Sequence, residues 1–308
     1  MRCASSRVVG NGWTGGQYSI VRACACSALA VRCAVHAIGA SAWECALLAV
    51  GCALALSTAI GLHERASAML LAPTLIAVGF LGGERGPGQV HWLALALMLH
   101  LGTSRAPFGA WDARGRIDPR GAWRMPSAVQ IAALLFLIGA LATFVLSRSR
   151  PYLAAFWYAA LAWDPAWIPA RGAGSTERVY YDGACGLCHG VVRLVLAEDR
   201  SGVRFRCAPL QGETFARALD ARARQALPDS VVVVSAAGEV LTRSNAIVHL
   251  LAGLGGLWRL LGLALHALPR PLRDFGYDSV ARVRKRVFAA PAELCPLLPP
   301  DLAARFDP

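Results

Sequence analysis

The chain changes character near its middle. Between residues 18 and 169 Ala, Leu, Val, Ile and Trp dominate, whereas from residue 171 onward polar and apolar positions mix as in a water-soluble domain. Cys45 to Leu62 is almost wholly apolar, and Ala128 to Leu146 carries only Gln130 as a polar residue near one end. Each approaches the roughly 20 residues that cross a 30 Å hydrocarbon layer. Ala66 to Leu81, Val90 to Leu101 and Tyr152 to Ile168 are shorter. They read as short spans, re-entrant pieces or interfacial helices. Ser19 to Gly39 is long enough to span but holds Arg22, Arg32 and His36. Charge inside a membrane needs a role or an escape to water. Arg22 can snorkel from a helix end. Arg32 and His36, one turn apart, point to a bundle interior and to Glu44, as a functional polar pocket or a structural ion pair.

The loop from Thr103 to Pro126 bears Arg105, Arg114, Arg116, Arg120 and Arg124 against Asp112 and Asp118. Positive charge favours the cytoplasmic side. Two crossings after that loop return the chain to the same side, although Arg148 and Arg150 in the intervening turn oppose this. The sequence therefore predicts a membrane module over residues 1–170, a linker over 171–176 and a cytoplasmic domain over 177–308. Met1 to Tyr18 has Arg2 and Arg7 but no continuous apolar core, unlike a cleaved signal peptide.

From Glu177 the pattern predicts a strand, a Cys-x-x-Cys pair, a helix over Gly186 to Glu198 and a strand over Val203 to Cys207. A helical stretch from Gly212 to Ala226 follows. Next come a β-rich run, Ser230 to Ser235, a turn at Ala237-Gly238 and a strand over Glu239 to Thr242. A helix over Ser244 to Leu254 follows, and Leu257 to Leu268 and Pro271 to Val287 supply further helical mass. A βαβ unit followed by a hairpin and a helix is the order of a thioredoxin-like fold. The fold class is thus an α-helical membrane module followed by an α/β thioredoxin-like domain with extra C-terminal helices.

Composition sharpens this division. A hydrophobic fraction of 56% and a mean hydropathy of +0.46 exceed those of a fully soluble protein. The net charge of +12 is almost all arginine, Lys285 being the single lysine. The arginines are scattered or sit at the ends of apolar runs, not interleaved with aromatics on one face, which argues against nucleic acid as a partner. Of ten cysteines, Cys24, Cys26, Cys33, Cys45 and Cys52 lie in apolar runs and read as small buried hydrophobes. Cys3, Cys207 and Cys295 are isolated, and no spacing suggests a secreted disulfide scaffold.

The chemistry concentrates in Val179 to His189. A strand ends in a tight Asp-Gly turn and delivers Cys185 and Cys188 to the first turn of a helix. Partial positive charge at a helix N-terminus favours thiolate over thiol, and a two-residue spacer puts the second sulfur one turn away, where it can displace a mixed disulfide. Redox exchange leads three rivals. A zinc site would have to recruit His189, Cys207 and Cys295 from afar. Haem attachment matches Cys185-Gly186-Leu187-Cys188-His189 formally, but no methionine follows Met125 as a second axial ligand. A structural pair is the last. Asp182 either assists proton transfer or caps the turn, and His189 either tunes the thiolate or sits on the surface. Pro228, just before Val231 to Val234, is either a cis-proline against the sulfurs or mere punctuation at a helix end.

Tyr181-Asp182-Gly183-Ala184-Cys185-Gly186-Leu187-Cys188 resembles the signature of the DCC family of thiol–disulfide oxidoreductases. The likeness continues through Val203-Arg204-Phe205, Ala208-Pro209-Leu210, Thr242 to Ile247, Leu257 to Leu261 and Tyr277 to Arg286, covering about residues 177 to 306. Asn245 stands where the family more often has Asp. The resemblance implies a thioredoxin-like fold with Cys185 as attacking thiol, Cys188 as resolving thiol and Asp182 as the nearby acid. More loosely, the first half resembles membrane modules of the HTTM type, through Tyr18 to Arg22, Ala106 to Trp111 and Trp123 to Pro126. Without a lysine before Lys285, chemistry that relies on an amine base is not expected there. Anchoring, or binding of a lipid or quinone, is the role left for it.

The expectation is a multi-pass protein of a bacterial-type inner membrane that exchanges disulfides through Cys185 and Cys188. It needs no cofactor or metal beyond that pair. Its partners are the lipid bilayer and a dithiol or disulfide protein or small thiol. The rival is a non-enzymatic membrane redox sensor or assembly protein whose cysteines signal or bind metal. A transporter or lipid-modifying enzyme with an accessory redox domain is a third class.

Overall fold

A computed structural model describes residues 11–81, 123–147, 152–172, 175–287 and 300–308. The segment Val90 to Leu101, most of the Thr103 to Pro126 loop, Cys3 and Cys295 lie outside the described residues. The chain divides between Asp164 and Pro165 into two compact units.

In the first unit, α1 (Gly15–His36) packs on α2 (Ala42–Ile60), α2 on α3 (Glu64–Leu81), and α4 (Ser127–Ser147) on α5 (Tyr152–Ala162). Gly15–His36, Ala42–Ile60 and Ser127–Leu146 are long and apolar enough to cross a membrane, and Ala66–Val78 is a shorter apolar helix. Large apolar side chains such as Leu135, Ile138 and Val145 on α4 are exposed, the reverse of a helix folded in water. Polar contacts gather near the start of α1. The Asn11 amide donates to Gln130 Oε1 at 2.8 Å and to the Met125 carbonyl at 3.0 Å, and Trp13 Nε1 donates to the Trp163 carbonyl at 2.8 Å. Glu44 serves as a helix-start residue: its carboxylate accepts the Ser41 N–H at 2.8 Å and the Ser41 hydroxyl at 2.6 Å. His36 is exposed, its Nδ1 3.0 Å from the Arg32 carbonyl oxygen. The apolar run from Tyr152 does not stay helical to Ile168. α5 stops at Ala162, because Pro165 disfavours helical backbone at Asp164.

The second unit is built on four strands, β1 (Glu177–Tyr181), β2 (Phe205–Pro209), β3 (Val232–Val234) and β4 (Val240–Thr242), in the order β2-β1-β3-β4. β1 and β2 are parallel, and β1–β3 and β3–β4 are antiparallel. The helix between β1 and β2 is α6 (Gly186–Glu198); α7 (Glu213–Ala218) and α8 (Ala221–Ala226) precede β3, and α9 (Arg243–Leu254) follows β4. This small mixed sheet with its helices is consistent with a thioredoxin-like domain. Two further helices, α10 (Gly256–Ala267) and α11 (Arg270–Val287), and the short α12 (Pro300–Ala303) follow.

The period of two along each strand sorts the core. Val179 and Tyr181, with Phe205, Cys207 and Val233, face α6 and α9, where Val192, Val195, Ala246 and Leu250 meet them. Tyr180, Ala208 and Val232 point to the other face, against Phe215 of α7. The inner side chains of α6, Cys188, Val192, Val195 and Leu196, recur every three or four residues, so its amphipathic stripe and its chemistry share one face.

Local chemistry shifts some boundaries from the sequence expectation. β2 begins at Phe205, not Val203, because the Asp199 carboxylate accepts the N–H groups of Arg204 and Phe205 at 3.1 and 3.3 Å. The stretch from Gly212 to Ala226 breaks into two helices where Asp220 caps the second, accepting Ala223 N–H at 2.7 Å. Residues 165–172 are tied into this unit: Arg171 N–H donates to Ala252 and Gly256 N–H to Ile168, at 3.0 and 2.8 Å. Gly255, at φ +75°, turns the α9–α10 corner there, and a Cβ on it would come within 2.9 Å of Ala170 N. At the far edge Cys207 donates to Arg305 and accepts from Asp307, both at 2.8 Å, laying Phe306 parallel beside β2.

Candidate functional site

β1 ends at Tyr181, and the next four residues form the turn into α6. The Asp182 carboxylate accepts the Ala184 N–H at 3.0 Å and the Gln211 amide at 3.4 Å, while the Asp182 carbonyl accepts the Cys185 N–H at 3.2 Å. His189 closes the same turn from the helix: its Nε2–H donates to the Gly183 carbonyl at 2.9 Å, and its ring meets Tyr181 edge-on at 5.5 Å. Both residues thus brace the turn that holds the cysteines.

Cys185 occupies the N-cap of α6, and its sulfur accepts the Cys188 N–H at 3.4 Å. That sulfur takes the place of the Ser, Thr or Asp oxygen usually found there. The Cys188 thiol hydrogen-bonds to Cys185 in turn. Both thiols are free and nearly covered, with 2% exposure at Cys185 and 7% at Cys188. Burial, then the hydrogen bond and charge of Cys185, push the Cys188 thiol up to about 12, against a smaller opposing pull from Arg284. Cys188 is therefore held as the thiol.

Arg284 of α11 was not singled out by sequence pattern. It is 3% exposed, pairs with the Asp229 carboxylate and faces both sulfurs electrostatically. Tyr277, two turns earlier on the same face of α11, accepts the Val231 N–H at 3.1 Å through its hydroxyl. The segment before β3 thus reaches the site through Asp229 and Val231. Pro228 does not act as a cis-proline: no peptide bond among the described residues is cis. Leu227 before it is extended, at φ −76° and ψ 142°, the conformation favoured for a residue that precedes a proline. The family resemblance did include the block from Tyr277 to Arg286, the one signal that could have pointed to α11.

A cavity of about 450 Å³ opens beside the pair, walled by Cys188, Leu187, Val231, Leu265, Tyr277 and Arg284 among others. Cys185 is not part of its wall. Cys207 lies on the sheet, away from the pair in sequence and fully buried, and burial pushes its thiol up to about 12. No group of three or more His, Cys, Asp or Glu that could hold a metal ion occurs among the described residues.

A model of the DCC1-like thiol-disulfide oxidoreductase family matches residues 179–290. YuxK of Bacillus subtilis (strain 168), described as an uncharacterized protein, is 35% identical over 132 residues, which is 42% of this chain and 91% of YuxK. No solved structure matches the chain.

Proposed function

Because this chain belongs, through its C-terminal unit, to the DCC1-like thiol-disulfide oxidoreductase family, we propose that it is a membrane-anchored enzyme exchanging disulfides through Cys185 and Cys188. The observation that carries this reading is the Cys185 sulfur at the N-cap of α6, receiving the Cys188 N–H. A helix N-terminus stabilises negative charge there, and the Cys188 thiol adds a hydrogen bond to the same sulfur.

In the reducing direction the Cys185 thiolate attacks a partner disulfide, forming a mixed disulfide and expelling one partner thiolate, which takes up a proton. Cys188 then loses its proton and attacks the Cys185 sulfur. The partner leaves as its second thiol, and two electrons have passed from the pair. Arg284 favours the Cys188 thiolate in this second step, since its charge already opposes the effect of burial. Asp182 and His189 are positioning residues that hold the turn. The three apolar helices are compatible with anchoring in a bilayer, and the arginine-rich loop supports a cytoplasmic position for the domain.

Exchange by the full chain tests the division of roles. Cys185→Ser should abolish it, and Cys188→Ser should accumulate mixed disulfides on Cys185, visible as mass adducts that dithiothreitol removes. Equal residual exchange in the two variants would overturn the assignment. Stoichiometric zinc on the purified chain would favour the metal-binding rival.

A further inference from the structure

The cavity beside Cys188 has the character of a small-molecule site. Its volume of about 450 Å³ lies within the ~300–1,000 Å³ usual for such sites. Leu265, Ile247 and Val192 line its interior, and Leu268 and Leu272 at the α10–α11 elbow, with Val280 farther along α11, are lining residues that are also exposed. Its rim is therefore apolar as well as its walls.

The polar groups on that wall are mostly spent. The Ser244 hydroxyl donates to the Asp274 carboxylate, and the Tyr277 hydroxyl accepts the Val231 N–H. A polypeptide strand would bring an N–H and a C=O per residue and find little to pair with them. Two guanidinium groups are different. Nε and Nη1 of Arg273 and Nε of Arg284 are buried without an acceptor among the described residues. Arg284 is balanced by Asp229, whereas Arg273 has no ion-pair partner among the described residues. Arg273, a wall residue whose charge no carboxylate among the described residues balances, favours an anionic ligand group beside it.

We infer that this cavity receives a low-molecular-weight, largely hydrocarbon thiol bearing a carboxylate, which exchanges with the disulfide form of the pair at Cys188. The inference rests on the exchange reading above. The cavity meets Cys188 and not Cys185. A thiolate arriving through it attacks the Cys188 sulfur: a substrate–Cys188 bond forms and the Cys185–Cys188 bond breaks. Cys185 leaves as the thiolate that the α6 N-terminus stabilises, and a stabilised thiolate is the better leaving group. A second substrate thiolate displaces Cys188, releasing the substrate as its disulfide. Two substrate thiols have lost two electrons and two protons, and Cys185 and Cys188 have gained them as thiols.

The test uses the oxidised full chain in detergent with 8-mercaptooctanoate, its amide and glutathione as probes. Reduction by the carboxylate should outpace the amide by about 10-fold, the worth of one charge-assisted hydrogen bond, and should outpace glutathione further. Arg273→Gln should bring carboxylate and amide within about 2-fold of each other by the same reasoning. Leu272→Trp, at the exposed rim where folding tolerates it, should slow both. Acid quenching should find the adduct on Cys188. Equal rates for carboxylate and amide, or adducts on Cys185 alone, in a protein whose pair dithiothreitol still reduces, would overturn this inference and leave disulfide exchange intact. A pair that no thiol reduces would overturn both.

Discussion

At the scale of single residues, the two cysteines of the pair differ through what each sulfur accepts. Cys185 receives the Cys188 N–H, while Cys188 is buried beside Cys185 and held protonated. The sequence predicted the pair, the turn and the helix start from Asp-Gly and the Cys-x-x-Cys spacing. It could not predict Arg284, because a guanidinium 96 positions beyond Cys188 reaches the site only through the packing of α11. Burial has a measurable consequence here. Cys188 and Cys207 are each pushed up to about 12, whereas an unfolded-chain cysteine titrates near ~8.5. The folded state keeps protons that the unfolded chain releases. This contribution to stability is whole below pH ~8.5 and is lost as pH climbs toward the folded values. Under reducing conditions the urea midpoint should therefore fall across that alkaline window. Cys207→Ala should make the decline shallower, and an unchanged slope would refute the link.

At the scale of elements, periodicity located strands and helices well where one face is buried. α6 runs over Gly186–Glu198, as its apolar spacing predicts, and β1 lies where the alternation puts it. A boundary set by a side-chain hydrogen bond was illegible, as at β2, whose start depends on the nearby Asp199 carboxylate, itself held at 2.7 Å by Arg305 from far along the chain. Helix α9 crosses β2 closely at Gly253. A Cβ there would lie 2.6 Å from Phe205 Cζ and 2.7 Å from Arg204 Nε. Arg204 is itself fixed by Glu177 at 3.2 Å, which also accepts from or pairs with His249 at 2.8 Å. Gly253→Ala should accordingly cost about 1–3 kcal/mol by overpacking. Gly190→Ala on α6, where nothing lies within 4 Å, should stabilise by about 0.5–1 kcal/mol. Urea denaturation of the two variants compares them directly; equal stabilities would mean that the α9–β2 crossing yields freely.

At the scale of the whole molecule, the contrast between the units is one of surface. The first exposes rows of large apolar side chains along helices long and apolar enough to cross a membrane, as on α4, whereas the second buries apolar residues on both faces of its sheet and exposes others mainly along α10 and α11. The change in residue composition near position 170 makes that contrast legible in the sequence. The proposed anchoring predicts that the expressed chain stays with membranes through an alkaline carbonate wash and leaves them in detergent. Release by carbonate would count against it. One margin of the sheet carries a further consequence. A short open sheet ordinarily offers its unpaired backbone as a template for another copy. Here Phe306 already occupies the outer side of β2, and β4 on the opposite margin is three residues long. Strand-to-strand aggregation is thereby discouraged, so that copies gathered in one plane by the proposed anchoring would stay individually mobile, their sulfurs left available.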